Sequence, residues 1–478
     1  MKNNKAILRK LQEIVGEEHA TDDIAICASY ARDQHWHFVP PKRPAFVVRP
    51  ANKEEVREVL MLANEEKVPV VPLSTGINIR GLAIPVHDGS ILLDLGRMNR
   101  IIEINADMKT ATVEPAVTFG MLYEQTRKFK LRPAFPDAPL TVSVLTNYYL
   151  RGIYQTSAAD GHDHVLSYEM VLPNGEIVKT GSRALSSSLP HFRYGVGPDF
   201  TGVFCSHPGT CGVVVELTAR LYRIYDNRKA YFVGFNSIED AVPFIYNVMN
   251  DELVASLRLV DNQSWLKGMC GTYDYDYESL PKFVLCALVE GIDGIFEAKD
   301  EIFNEHLRNF VLSEGKGELL DFPEDFASNF FYETLGGTEK SCMVFGLRGN
   351  YHCIGLYGPL NMAPKYYEMH RRTAIEVGFP EEFVHFYLNP IYPFHGQLCY
   401  VELDIFYDGA AEGAGEKLRE YNKKQFENLL NAGIYGWFRP YAGIIEPTIE
   451  RIGYLAEIWR KFSQILDPNR IMNRGKLF

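Results

Sequence analysis

The chain has 478 residues, enough for two or three domains and a sizeable core, and its 46% hydrophobic and 23% charged residues are the balance of a folded protein, not a disordered one. Its 49 Lys and Arg stand against 61 Asp and Glu, a formal charge of −12, which excludes a general nucleic-acid-binding surface but leaves room for a local basic pocket. None of the 8 cysteines falls in Cys-x-x-Cys spacing, so neither a zinc ribbon nor an iron–sulfur cluster is expected, and scattered reduced thiols fit the cytoplasm.

The opening "MKNNKAILRKLQEIVGEEH" reads as a charged amphipathic helix without the unbroken apolar stretch of a signal peptide, and no apolar run is long enough to span a membrane. "PAFVVRPANKEEVREVLMLANEEKVPVVPLS" then predicts strand, helix, strand, with Val56, Val59, Leu60, Leu62 and Ala63 on the apolar helix face. A crossover of this kind makes its two strands parallel. Short strands and turns follow through "GSILLDLGRMNRIIEINADMKTATVEP", and Thr118 is placed to cap a helix. "HVLSYEMVLPNGEIVKTG" predicts a hairpin turning at Asn174-Gly175, and "GTCGVVVELTARLYRI" a further strand. Between about Asn227 and Phe438, stretches such as "SIEDAVPFIYNVMNDE" and "FVLCALVEG" need a core of their own and predict a second domain. The tail "YLAEIWRKFSQILDPNRIMNRGKLF" predicts an amphipathic helix stopped at Asp467-Pro468.

One loop asks for an explanation. In "VPVVPLSTGINIRGLAIP" a buried strand breaks into Ser74, Thr75, Gly76, Asn78 and Gly81, with Arg80 among them. Small residues let main-chain N–H groups approach a phosphate closely, although a short loop of this type, taken alone, is more often a plain tight turn. Neither the Walker pattern nor Gly-x-Gly-x-x-Gly fits it, which disfavours a P-loop hydrolase and an ordinary Rossmann domain.

Taken with "GSILLDLGRMNRIIEIN", "TATVEPAVTFGMLYE", "DHVLSYEMVLPNGEIVKTG", "GTCGVVVELTARL" and "LDPNRIMNRGK", in that order, the loop resembles the FAD-binding domain of the vanillyl-alcohol oxidase and p-cresol methylhydroxylase superfamily, nearest the 4-alkylphenol oxidoreductases. The resemblance implies an α+β fold: an FAD-binding domain from residues 1–226, a substrate-binding cap with an antiparallel sheet over 227–438, and a return to the first domain at 439–478. It implies FAD contacts at Pro72, Ser74, Thr75, Gly76, Ile77, Asn78, Gly81 and Leu82, and further ones at Glu114, Gly212, Val213, Asn473 and Lys476.

The same resemblance assigns chemistry. "HFRYGVGPDFTGVF" is similar to a segment carrying an active-site tyrosine, here Tyr194, and "YGWFRPYAGI" to one whose Tyr-Arg pair binds a phenolate. That pair is Phe438-Arg439 in this chain, so the arginine is kept, the hydroxyl is lost, and Tyr435 and Tyr441 are the nearby replacements. "TSAADGHDHVL" offers Asp160 and Asp163, which compete for the place of an aspartate acting in proton transfer beside the flavin; a metal at this His and Asp cluster ranks lower, and none is expected. "NPIYPFHGQLCYVELDIFYD" resembles the cap strand where some relatives attach flavin covalently, and Tyr400 falls near that point, with core packing as its plainer explanation. Ile77 stands where other branches carry a flavin-linking histidine, and Pro139, Leu140 and Thr141 replace an expected Gly-rich stretch.

The expected activity is hydride removal from a small aromatic substrate, a 4-alkylphenol or benzylic alcohol. Two alternatives stand beside it: a 2-hydroxy-acid dehydrogenase of the glycolate and D-lactate type, and a flavin-bearing electron-transfer subunit. A cytochrome or an electron-transfer flavoprotein is the expected class of protein acceptor, and a homo-oligomer the expected assembly.

Overall fold

The computed structural model describes residues 4–33, 36–77, 81–136, 138–150, 161–186, 191–195, 197–262, 266, 276–322, 350–390, 398–433 and 445–477. Three main sheets organise them. The first contains β1 (Ala20–Thr21), β2 (Phe46–Val48), β3 (Val70–Leu73) and β4 (Ile91–Asp94), in the order β1-β2-β4-β3. The helix Lys53–Glu66 joins β2 to β3 as expected, with Val56, Val59, Leu60, Leu62 and Ala63 all buried. Its start is fixed twice, since the Asn52 side chain accepts the Glu55 N–H at 2.9 Å and the Glu55 carboxylate accepts the Ala51 N–H at 2.8 Å. β2 and β3 are parallel, yet they do not touch: β4 lies between them, pairing Ile91 with both Phe46 and Val70.

The second sheet, in the order β5-β6-β10-β8-β9, is antiparallel and uses β5 (Ile101–Asn105), β6 (Thr110–Val113), β8 (Val165–Val171), β9 (Ile177–Lys179) and β10 (Val213–Arg220). The hairpin between β8 and β9 turns at Asn174-Gly175, where Gly175 has φ 84°, a conformation that favours glycine. Thr118 does cap its helix, accepting the Met121 N–H at 3.2 Å. The short strands β7 (Leu131–Arg132) and β11 (Tyr222–Arg223) pair beside this sheet. A buried charge network joins the two sheets: Lys53 from the first helix reaches Glu169 at 3.1 Å and Glu216 at 3.4 Å, and Arg183 binds the same two carboxylates. Its cations hold the Glu216 carboxyl below its ordinary value although burial pushes the other way.

The third sheet has seven strands, all paired antiparallel: β12 (Asn227–Phe235), β13 (Ser256–Asp261), β14 (Phe283–Gly291), β15 (Gly317–Leu319), β16 (Asn350–Gly358), β17 (Val384–Pro390) and β18 (Cys399–Tyr407). Their order is β15-β12-β14-β13-β17-β18-β16. One face carries Leu257, Leu259, Leu285, Ile354, Phe386, Leu388, Val401, Leu403 and Ile405 into a core shared with helices Ile238–Asn250, Ile295–Leu307, Ala363–Val377 and Ala414–Asn431. The other packs Val260, Val284, Cys286 and Leu288 in one core with Val113, Phe119, Phe135 and Tyr148 around the second sheet. Arg132 and Glu290, 3.0 Å apart and both buried, tie the two regions together. No helix among the described residues is long and apolar enough to cross a membrane.

Candidate cofactor and substrate site

β3 delivers the chain into the small-residue loop. Ser74 accepts a hydrogen bond from the Thr146 hydroxyl at 2.8 Å, on the helix Val144–Tyr149 that Ser143 caps. Gly76 has φ 78° with open space where a side chain would be, and Ile77 beside it is exposed. Past the segment containing Asn78, which lies outside the described residues, Gly81 (φ 69°) donates its N–H to Asp33 at 2.7 Å. The described parts of the loop, Ser74 to Ile77 and Gly81, carry Ser, Thr and Gly residues of the type that lets a main chain come close to an anion.

The C-terminal segment closes on this loop from the other side. Met472 bridges to Val70, Asn473 donates its side-chain amide to the carbonyls of Leu82 (3.0 Å) and Pro208 (2.6 Å), and Lys476 donates to the Gly81 carbonyl at 2.7 Å. Burial pulls the Lys476 ammonium down to about 8, with Asp33 working against it. Asn473 Oδ1 is buried without a hydrogen-bond partner among the described residues. Gly209 completes the wall, because a side chain there would run into the Pro72 ring, and a Cβ on Gly212 would stand 2.6 Å from the Val171 carbonyl oxygen. Val213, the first residue of β10, is buried against Val171. The structure therefore brings Pro72, Ser74, Thr75, Gly76, Ile77, Gly81, Leu82, Asn473 and Lys476 to one neighbourhood.

Nearby, His207 Nδ1 lies 3.1 Å from the Cys211 sulfur. Burial takes the imidazole down to about 4 and the thiol up to about 12, so both are neutral packing groups near pH 7.

Glu114 is engaged elsewhere. It receives the Arg100 guanidinium at 2.7 Å and the Arg100 N–H at 2.8 Å, which clasps the start of β5 to the end of β6. Among the residues expected to act chemically, Asp160 and Arg439 lie outside the described residues, as do Tyr435, Phe438 and Tyr441. Tyr194 stands 73% exposed, and Asp163 lies 3.6 Å from Arg193, which also binds Asp199 at 2.9 Å and the His162 carbonyl at 2.8 Å. Arg193 thereby ties the segment that carries Tyr194 to the turn that carries Asp163.

Tyr400 leads to a group that the sequence did not disclose. It is buried, and its hydroxyl donates to Glu402 at 2.7 Å; Gly355 on the adjoining strand leaves room for that hydroxyl. Tyr351 donates to Glu402 (3.1 Å) and to Asp404 (3.0 Å). By register, Asn389 and Tyr357 flank Tyr400, Tyr387 flanks Glu402, and His385 and Cys353 flank Asp404. Arg258, fully buried, is on the same face of β13 as Val260. Cys353, Glu402 and Asp404 bring their ligand atoms within 4.8 Å of one another. The seven-stranded sheet thus turns a buried, polar, acid-bearing face toward the part of the chain that holds the small-residue loop. Alternation in "CYVELDIFY" was the available signal, with Tyr400, Glu402, Asp404 and Phe406 on one side and Cys399, Val401, Leu403 and Ile405 on the other.

Residues 44–181 match the family model described as an FAD binding domain. This chain carries an FAD-binding domain. Its loop, its buried lysine and the acceptor at Asn473 Oδ1 fit FAD, which offers a diphosphate, ribityl hydroxyls and a ring N–H. The chain is similar to an uncharacterized FAD-linked oxidoreductase of Mycobacterium tuberculosis (28% identical; 60% of this chain, 63% of that protein) and to the glycolate oxidase subunit GlcD of Bacillus subtilis (27%; 61% and 60%). It is also similar to the 4-cresol dehydrogenase [hydroxylating] flavoprotein subunit of Pseudomonas putida (34%; 42% and 39%). The aligned parts span less than two thirds of these relatives. Among solved structures, p-cresol methylhydroxylase with substrate bound superposes at a TM-score of 0.88 over 100% of this chain and 97% of that one, at 19% identity, so the FAD-binding domain and the seven-stranded sheet share its fold.

Proposed function

We propose that this chain is an FAD-dependent oxidoreductase that removes a hydride from a small aromatic substrate, a 4-alkylphenol or a benzylic alcohol. Residues 1–226 and 439–478 would hold FAD, and residues 227–438 would cover the substrate. The observation that carries the proposal is an FAD-binding domain packed against a sheet face that buries Arg258, His385, Asn389, Glu402 and Asp404 among its apolar residues, where packing alone calls for apolar ones. When bound, FAD supplies a two-electron acceptor for the substrate's hydride.

The protein's own groups then orient the substrate and move its proton. Arg439 would fix a phenolate by a charge-assisted fork. Asp163 is engaged by Arg193, which leaves Asp160 as the proton acceptor. Tyr194 is exposed, so the orienting hydroxyl of this proposal is Tyr400, held by Glu402.

Anaerobic titration of the FAD-loaded protein, followed by bleaching of the flavin absorbance, tests this. Rapid bleaching by 4-alkylphenols is expected. Bleaching by 2-hydroxy acids alone would overturn it in favour of a second reading, a glycolate or D-lactate type dehydrogenase, which the similarity to GlcD supports. Electrons would leave to a cytochrome or flavoprotein acceptor, in line with the P. putida relative being named as a flavoprotein subunit.

A further inference from the structure

The turn after the last helix holds a basic cavity that the proposed reaction does not use. Asp467 is buried at the end of the helix Tyr454–Leu466, and its two carboxylate oxygens accept the main-chain N–H groups of Ile471 (3.0 Å) and Met472 (2.8 Å). Its N–H donates to the Ser463 carbonyl at 2.8 Å, and its carbonyl accepts the Arg470 N–H at 3.0 Å. These bonds fold 467–472 into a compact bend in which Arg470 takes φ 52°. The bend sorts its side chains. Asn473 and Lys476 point to the carbonyls of Leu82 and Gly81, while Arg470 and Arg474 line a cavity of about 100 Å³ with Arg460, Ser463, Gln464 and Thr210.

Three arginines therefore line one cavity with Thr210, Ser463 and Gln464 in a chain whose formal charge is −12. Arg470 and Arg474 are exposed and form no ion pair among the described residues. The one carboxylate in the lining, Asp467, already has both oxygens on main-chain donors. Guanidinium forks match tetrahedral oxyanions in a bidentate way, and hydroxyl and amide N–H donors complete such a shell. A volume near 100 Å³ equals roughly three waters, room for one such anion.

We propose that this cavity is a phosphate-binding site, separate from the FAD diphosphate loop, that takes either free phosphate or the phosphoryl group of a larger molecule. Isothermal titration of the FAD-loaded protein with inorganic phosphate, and separately with phenyl phosphate, tests it against sodium chloride of equal ionic strength. Saturable binding of one phosphate per chain is expected. The double variant R470Q/R474Q should weaken it at least tenfold while FAD content and flavin absorbance stay unchanged. Should that variant lose FAD, the single variant R474Q decides, with an expected loss of several-fold. Tighter binding of phenyl phosphate assigns the site to a phosphorylated organic molecule, and equal binding assigns it to free phosphate; either supports the proposal. Binding no stronger than that of chloride, binding indifferent to the substitutions, or release of FAD by phosphate would overturn it.

Discussion

The two faces of the seven-stranded sheet are both buried, yet they are made of different residues. Behind it, Leu257, Leu259, Phe386, Leu388, Val401, Leu403 and Ile405 meet four helices, and the face is mainly apolar, with His352 bonded to Asn422 as a polar exception. In front, the same strands present Arg258, His385, Asn389, Glu402 and Asp404, with Tyr351, Tyr387 and Tyr400 among them. Burying polar groups costs free energy unless each finds a partner, and an apolar replacement is often no less stable. The comparison teaches that burial alone does not choose the residue type. The rear face is mainly apolar, and the front face mixes apolar residues with buried polar ones.

Substitutions sharpen or break that contrast. The largest effect is expected at the buried pair that ties the front face to the FAD-binding domain: Arg132→Met should cost about 3–5 kcal/mol by stranding Glu290, read from denaturant unfolding. A loss below about 1 kcal/mol would mean the pair is wet in solution.

Next comes pH. His370, behind the rear face, is bonded to Tyr421 (2.6 Å) and to the Asp404 carbonyl (3.0 Å), and burial holds its imidazole down to about 3. The unfolded chain takes up this proton near pH 6.5 and the folded chain only near 3. Between these values the unfolded state binds more protons, so stability falls as pH falls, by on the order of 4 kcal/mol across the window. Melting midpoints from pH 7 to 4 should show this slope, and His370→Phe should flatten it.

Leu403→Ala, on the rear face, should cost about 2–5 kcal/mol of stability by leaving a cavity. Its FAD affinity and substrate KM should stay at their original values. Tyr400→Phe, on the front face, should cost only about 1 kcal/mol of stability. Turnover of a 4-alkylphenol, measured by single-turnover flavin reduction, should nevertheless fall at least tenfold. If turnover is unchanged, the front face is structural and the contrast fails.

Features set by neighbours in the chain were legible in the sequence. The helix between β2 and β3, the Asn174-Gly175 turn and the Thr118 cap all depend on residues a few positions apart, and each is where the pattern places it. The insertion of β4 between β2 and β3 was not legible, because pairing of distant strands leaves no local mark. The small-residue loop stood out in the sequence, but its partners Asn473 and Lys476 were accessible only through resemblance to a family, being nearly the whole chain away. Glu114 shows the converse: the motif around it is present, while its carboxylate is taken by Arg100. The front face is the most instructive case. Alternating polar and apolar residues in "CYVELDIFY" ordinarily describe a strand with one side in water, and only the packed fold reveals that this polar side is enclosed.

The Lys476 bond to Gly81 joins residues 395 positions apart. Folding therefore cannot close this loop until a segment almost four hundred residues further along the chain has docked on it. The loop's shape is thus a long-range property of the fold, set by contact order and not by its own sequence.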